Sequence, residues 1–301
     1  MSFDPTMIDL RPLQPDTRSV FESYLETTGA PLSAYSFLAH YLWRDHFSFS
    51  WTVHRDHFLL FAEYDRCLYM PLPPLGPRDR TAVLECFDWM DRVNPDRSIS
   101  RIENIAETDI GFYQECGFTI EWKAPEYLYR RTALSELKGD RYKAQRAACN
   151  SFKRHDPVDR PYRFSDESVA RTLLKKWIQD RIERHTDPIY RQMLHDSESV
   201  HLHALAEAAD LSLTGWVVEV SGALAGYTFG FPQDHQTFCI LFEVSDLQWK
   251  GAAAYLFRSF CRSLIGFEWI NAMDDSGIPS LQQTKESYRP ERKVGCALAR
   301  H

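Results

Sequence analysis

Twice along this chain, three short strand-like segments in close succession are followed by one amphipathic helix and a further strand, and that repeated order leaves few folds open. In the first pass FSFSWTVH, HFLLFAEY and RCLYMPL, between Phe47 and Leu72, are each aromatic or β-branched and bounded by polar turns, which predicts an antiparallel meander. Val83, Leu84, Phe87 and Met90 then recur at helical spacing, predicting a helix over Arg80 to Val93, with a strand at Ile99 to Ile105 after it. The second pass places strands at Leu213 to Val220, Ala223 to Phe231 and Thr237 to Val244, with Ser221-Gly222 as a two-residue hairpin connection. A helix over Ala252 to Leu264 and a strand at Phe267 to Ala272 complete it.

The segments outside the two passes are mostly helical. Two helices are expected between residues 16 and 47, separated by Gly29 and Pro31, a short one around Ile110 to Cys116, and another from Val169 to Arg184. After the short helix, Gly117 is expected in the left-handed conformation that closes a helix, and a strand follows at Glu126 to Arg130. No residue-level repeat accompanies the repeated element order. The fold class is therefore α/β in the α+β sense, with mixed, mainly antiparallel sheets flanked by helices. A chain of 301 residues is long enough for about two domains, drawn at 1–135 and 136–301.

Bulk properties narrow the function classes. A formal net charge of −7 excludes a protein that coats nucleic acid through its overall field, so any phosphate-rich ligand must be held at a local patch. Seven scattered cysteines with no C-x-x-C pair argue for free thiols in a reducing cytosol. The start, MSFDPTMIDLRPL, has acids and a proline where a secretory leader would have a basic start and an apolar run, so no leader is expected. No run of about 18 apolar residues predicts a membrane span; a lipid substrate would be met from the aqueous side.

Three stretches could carry chemistry. The first, DLQWKGAAAYLF, holds Gln248, Gly251 and Ala253 as Q-x-x-G-x-A at a strand-to-helix junction. It reads either as a loop offering backbone N–H groups to a pyrophosphate or as a helix start whose small residues pack on a sheet. In the second, Lys138 to Arg154, Lys143, Arg146, Asn150, Lys153 and Arg154 share one helical face. Six basic residues against the one acid Asp140 make either a solvated surface or a cradle for the phosphates of a nucleotide, a tRNA end or a lipid headgroup.

The third is WINAMDDSGIPSLQQTKESYRP, residues 269–290. Asn271, Asp274 and Asp275 follow a predicted strand, Gly277-Ile278-Pro279 turns the chain, and Lys285 and Tyr288 come soon after. Carboxylates just past a strand end are where open sheets collect ligand-handling groups, although an aspartate that merely caps a loop gives the same pattern. The pairs His201/His203 and His54/His57 lack acids or cysteines arranged as a ligand set, and no metal site is expected.

At residue level two resemblances emerge. FYQECGF resembles the helix, Gly-Phe turn and last strand that end GCN5-related (GNAT) acyltransferase folds. The block from Asn271 to Pro290 resembles the signature of the phosphatidylglycerol lysyltransferase C-terminal (DUF2156) family. So does the stretch of Tyr127 to Tyr129, the Leu137-x-Gly139 turn and the basic helix ending Asn150-x-Phe152.

The resemblance implies two tandem acyl-CoA N-acyltransferase-like lobes related to FemAB-type aminoacyltransferases. The implied activity passes an acyl or aminoacyl group from aminoacyl-tRNA or acyl-coenzyme A to a small-molecule or lipid-headgroup acceptor, with no tightly bound cofactor. Asn271, Asp275, Lys285 and Tyr288 would be the catalytic residues, and Gln248, Gly251, Ala253, Lys143 and Arg146 would hold the donor. Met273 and Gln282 stand where many family members carry Glu and Arg. Those departures motivate a second reading, a phosphate- or nucleotide-binding protein that keeps the fold without turnover.

Overall fold

Hairpins organise both halves of the chain, and their turns are set by residues that accept positive φ. The computed structural model describes residues 9–184 and 186–301. Most of the leader region read above lies outside the described residues. Arg55-Asp56, Asp65-Arg66 and Ser221-Gly222 each have both central φ angles positive, the geometry of a type I′ turn, whose twist matches that of the flanking strands. The chain divides into one compact unit of residues 1–126 with 294–301 and a second of residues 127–293.

In the first unit β1 (Arg11–Pro12), α1 (Thr17–Thr28) and α2 (Phe37–Tyr41) precede the meander β2 (Ser48–His54), β3 (His57–Tyr64) and β4 (Cys67–Tyr69). The four strands form one antiparallel sheet in the order β1-β2-β3-β4. Then come α3 (Arg80–Val93), β5 (Arg101–Ala106), α4 (Ile110–Glu115) and β6 (Thr119–Trp122). The Asp79 side chain accepts from the Thr81 N–H at 2.8 Å and opens α3 where the apolar periodicity begins. Gly117, at φ +97°, closes α4 as expected. Phe21 meets Phe58 edge-on at 5.3 Å, and Phe87 of α3 stacks on Phe118 at 4.0 Å.

The second unit contains β7 (Glu126–Arg130), α5 (Arg131–Glu136), α6 (Lys143–Lys153), β8 (Val158–Pro161), α7 (Glu167–Arg184), α8 (Pro188–Glu207), β9 (Thr214–Val220), β10 (Ala223–Pro232), β11 (Thr237–Ser245), α9 (Ala252–Ser263), β12 (Trp269–Asn271), α10 (Pro279–Ser287) and β13 (Arg292–Val294). Its strands form one sheet in the order β13-β7-β12-β11-β10-β9-β8. The last strand, β14 (Cys296–Arg300), returns to the first unit and pairs antiparallel with both β5 and β6.

Alternation along β9 puts Val217 and Val218 on opposite faces of the second sheet, so each face needs its own cover. On one face Leu173, Leu174 and Ile178 of α7 and Leu205 of α8 pack on Val217, Tyr227 and Phe229. On the other, Phe260 and Cys261 of α9 pack on Tyr127, Tyr129, Phe238 and Ile270, while Phe152 of α6 and Leu256 of α9 cover Val218 and Ala225. Three helices in this unit, α5, α8 and α10, were not anticipated; the last two open with proline in the first turn. Among the described residues no helix is long and apolar enough to cross a membrane, and all seven cysteines are free thiols.

Candidate functional site

The carboxyl-terminal block is a loop tied down by its own polar side chains. Asn271 ends β12 fully buried; its Oδ1 accepts from the Met273 N–H and its Nδ2 donates to Gln233 Oε1, both at 2.8 Å. Asp275, also buried, receives the Tyr127 hydroxyl on Oδ2 at 2.6 Å and the Gly277 N–H on Oδ1 at 3.0 Å. Lys285 Nζ donates to the Ala272 carbonyl at 2.6 Å and to the Asp274 carbonyl. The backbone these groups hold is strained, with Met273 at φ +59° and Ser276 at φ +51°. Three of the four residues expected to act on substrate therefore fasten the loop over residues 271–277. Tyr288 differs: it is half-buried, its ring meets Phe257 edge-on at 4.9 Å, and burial, with the Glu243 carboxylate next, holds its phenol above the ordinary range.

The residues expected to hold a donor are distributed in the same way. Gly251 opens α9 at φ +91°, and the space a side chain would fill is already taken by the Ala148 carbonyl of α6, 2.3 Å from an added Cβ. Close helix packing is thus the local reason for the glycine. Gln248 Nε2 donates to Asp246 Oδ2 at 2.7 Å, and both Asp246 oxygens are gripped by Lys176 at 2.9 and 2.8 Å. Ala253 is exposed on α9. Arg146 turns its Nη1 onto the carbonyls of Leu137 and Gly139, closing the turn between α5 and α6. Lys143, Asn150 and Lys153 remain exposed along one side of α6.

The feature that sequence reading missed lies on β11. This strand runs parallel to β12 only over Thr237 to Cys239, opposite Trp269 to Asn271; Ile240 to Ser245 continue with no β12 residue beside them. The pairing with β10 slips at the same place, since Phe229 faces Phe242 and Gly230 faces Ile240, leaving Leu241 as an extra residue. Such a bulge reverses which side chains face which side of the sheet. Before it, Phe238 and Ile240 pack with α9; after it, Phe242 and Val244 lie against the α7 and α8 cluster. Glu243 is thereby turned onto the α9 side, where its carboxylate acts electrostatically on Cys261 and Tyr288.

Glu243 is the anomaly of this region. Its Oε2 is sealed from solvent and has no hydrogen-bond partner, while the residue as a whole stays partly exposed. Burial pushes its pKa up to about 8. A glutamate inside the apolar stretch FCILFEVS was the available signal, because a charged side chain in such a run must be paired, protonated or functional.

The remaining candidates are accounted for locally. His54 Nε2 contacts Glu85 at 2.7 Å, His203 Nδ1 contacts Glu207 at 3.1 Å, and burial lowers the pKa of His201 to about 3. Among the described residues no group of three or more His, Cys, Asp or Glu is placed to hold a metal ion. A cavity of about 210 Å³ in the first unit is bordered by Tyr35, His57 and Tyr113, and its Arg78 and Asp109 already pair with each other.

With this geometry in hand, comparison with known proteins is informative. The model of the family described as phosphatidylglycerol lysyltransferase, C-terminal, matches residues 27–298. A conserved protein of unknown function from Bacteroides thetaiotaomicron VPI-5482 superposes with a TM-score of 0.87 at 20% identity, over 98% of this chain and 99% of that one. The L-PGS structure from Bacillus licheniformis gives 0.67 at 15% identity, over 94% and 91% of the respective chains. A tandem GNAT protein from the clavulanic acid biosynthesis pathway gives 0.50 at 9% identity, over 97% and 98%. These likenesses establish a tandem GNAT-like fold. The search of curated proteins returned no match.

Proposed function

The chain belongs to the phosphatidylglycerol lysyltransferase C-terminal family, and from that membership we propose that it transfers an acyl or aminoacyl group, with the transfer site where β11 outruns β12. The observation that carries this reading is the sealed, unpartnered carboxyl of Glu243, turned by the Leu241 bulge to the side that holds Tyr288. A carboxyl whose pKa lies near 8 is suited to take a proton from a nucleophile close to neutral pH.

In this mechanism the acceptor's nucleophilic atom bonds to the acyl carbon as its proton passes to Glu243. The acyl–oxygen bond of an aminoacyl-tRNA, or the acyl–sulfur bond of acyl-coenzyme A, then breaks, and the departing atom takes up the proton. Tyr288, which keeps its phenolic proton, donates a hydrogen bond to the carbonyl oxygen as negative charge builds there. Lys143 and Lys153 on the exposed side of α6 meet the donor's phosphates. Asn271, Asp275 and Lys285 act as positioning residues that hold the loop preceding α10 and Tyr288.

The test is mass spectrometry of acceptor mixtures incubated with charged tRNA or acyl-coenzyme A. Product formation is expected with one donor, falling by roughly 10²–10⁴-fold in Glu243→Gln. The use of Asn271, Asp275 and Lys285 as loop fasteners favours a second reading, ligand binding without turnover. Tight donor binding with no product from either donor would select it.

A further inference from the structure

The cavity of about 210 Å³ in the first unit is lined by two buried hydroxyls that the protein itself does not use. One side of it is built by a stiff segment, PLPPLGP over residues 71–77, which pairs with the start of β3 through reciprocal backbone bonds between Phe58 and Leu75, both at 3.0 Å. His57 fixes the same segment, with Nε2 2.6 Å from the Pro77 carbonyl and Nδ1 2.6 Å from the Arg55 carbonyl. Tyr35 and Tyr113, each 3% exposed, form part of the wall. Neither phenol has a hydrogen-bond partner among the described residues, although a buried O–H ordinarily has one.

The charges around the cavity define what those hydroxyls can meet. Burial, with the Asp109 carboxylate next, holds the Tyr35 phenol above the ordinary range, and burial with the Tyr35 phenol next does the same for Tyr113, so both stay O–H donors. Arg78 Nε donates to Asp109 Oδ1 at 3.0 Å, and its Nη2 bonds to the same oxygen and to the Thr108 carbonyl. This ion pair therefore leaves Asp109 Oδ2 and Arg78 Nη1 without a partner among the described residues. Asp79, whose Oδ1 takes the Thr81 N–H, adds a second carboxylate, and Pro73, Pro74, Val83 and Phe112 add apolar wall.

A carboxylate or phosphate would satisfy the phenols but would meet two carboxylates against one guanidinium. An ammonium brings only hydrogens and leaves both phenol hydrogens idle. A hydroxyl accepts from a phenol or from Arg78 and donates to Asp109, and neighbouring hydroxyls do both at once. The apolar wall calls for carbon as well, and a saturated ring presents C–H bonds on its faces. The volume of about 210 Å³ lies below the roughly 300–1,000 Å³ of drug-sized sites, which limits the occupant to about one ring.

We propose that this cavity binds a neutral cyclic polyol, a monosaccharide or cyclitol, held by Tyr35, Tyr113, Arg78 and Asp109. Every lining residue belongs to the first unit, so the site shares no residue with the transfer site read at β11 and stands or falls without it.

Saturation-transfer difference NMR and calorimetric titration of the full chain, with no acyl donor present, test the site. The probes are D-glucose, D-galactose and myo-inositol, with glycerol, D-glucuronate and D-galacturonate as counter-probes. At least one of the three rings is expected to bind at millimolar concentration or below. Glycerol should bind more weakly because it has no ring face, and each uronate more weakly than its neutral sugar because of Asp79 and Asp109. Tyr35→Phe and Tyr113→Phe should each weaken the bound ring about fivefold, the worth of one hydrogen bond. Since neither hydroxyl is bonded to the protein, both variants should melt at or above the parent's temperature when no sugar is present. Asp109→Asn should narrow the preference for the neutral sugar over its uronate. Failure of all three rings to bind to the folded chain, binding untouched by both phenylalanine substitutions, or tighter binding of a uronate than of its neutral sugar overturns the proposal.

Discussion

The Tyr127 hydroxyl donates to Asp275 Oδ2 at 2.6 Å, joining β7 to a loop 148 residues further along the chain. Both side chains are buried, and the second Asp275 oxygen holds the Gly277 N–H. Tyr127→Phe keeps the ring and leaves a buried carboxylate oxygen without its donor. The expected loss is about 1–3 kcal/mol, read as a lower urea midpoint at unchanged m-value. An unchanged midpoint would show that the loop does not depend on this bond.

Gly251→Ala tests whether the glycine answers to helix packing. The added methyl would lie 2.3 Å from the Ala148 carbonyl in a backbone held at φ +91°, so either α6 or the start of α9 must shift. Strain and overpacking together should cost about 2–5 kcal/mol, with a thermal midpoint lowered by several degrees. A variant as stable as the parent would mean that the glycine is there for another reason.

Glu243 makes stability depend on pH. Its folded-state pKa of about 8 lies above the ordinary carboxyl value of 4.5, so between those values the folded chain holds a proton that the unfolded chain has lost. The contribution is therefore fully present below about pH 4.5, declines as pH rises, and is gone above about pH 8. Glu243→Gln removes this decline. In melts compared across pH the variant should gain on the parent as pH rises, by up to about 5 kcal/mol between the two limits. Parallel curves would place the carboxyl in a wetter environment than its sealed oxygen suggests.

In the first unit Asn94, 8% exposed just past α3, accepts from the Leu68 N–H at 2.7 Å and donates to the Leu68 carbonyl at 2.8 Å and to Ser100 Oγ at 3.0 Å. One side chain thus completes the backbone of β4 and anchors the entry to β5. Asn94→Ala should cost about 2–3 kcal/mol, measurable by chemical denaturation, and Asn94→Asp should also destabilise because it replaces the donating end by an acceptor.

Most helices and strands were legible because their signals are local. The periodicity of Val83, Leu84, Phe87 and Met90 predicts α3, and the short aromatic or β-branched segments before it predict the meander. Two signals were present and overlooked. Asp187-Pro188 and Ile278-Pro279 each start a helix with proline in its first turn, although proline is more readily taken for a break. The second of these put a helix where a turn was expected, between Asp275 and Tyr288.

The pairing of β14 with β5 and β6, and the reversal of side-chain facing at Leu241, could not be read in the same way. Pairing partners far apart in the chain leave no local pattern, and an extra residue in one strand is defined only against its neighbour. The same holds for the chemistry. Residue type and position past a strand end drew attention to the block holding Asn271, Asp275, Lys285 and Tyr288, and its resemblance to a family signature supplied the family and the expected roles. Whether a carboxylate or an ammonium is spent on a carbonyl and a turn, as with Asp275 and Lys285, or left sealed and unpartnered, as with Glu243, depends on which groups the packed chain brings within about 3 Å. Side-chain identity is a property of the sequence; desolvation and hydrogen-bond partnership arise only when distant segments meet.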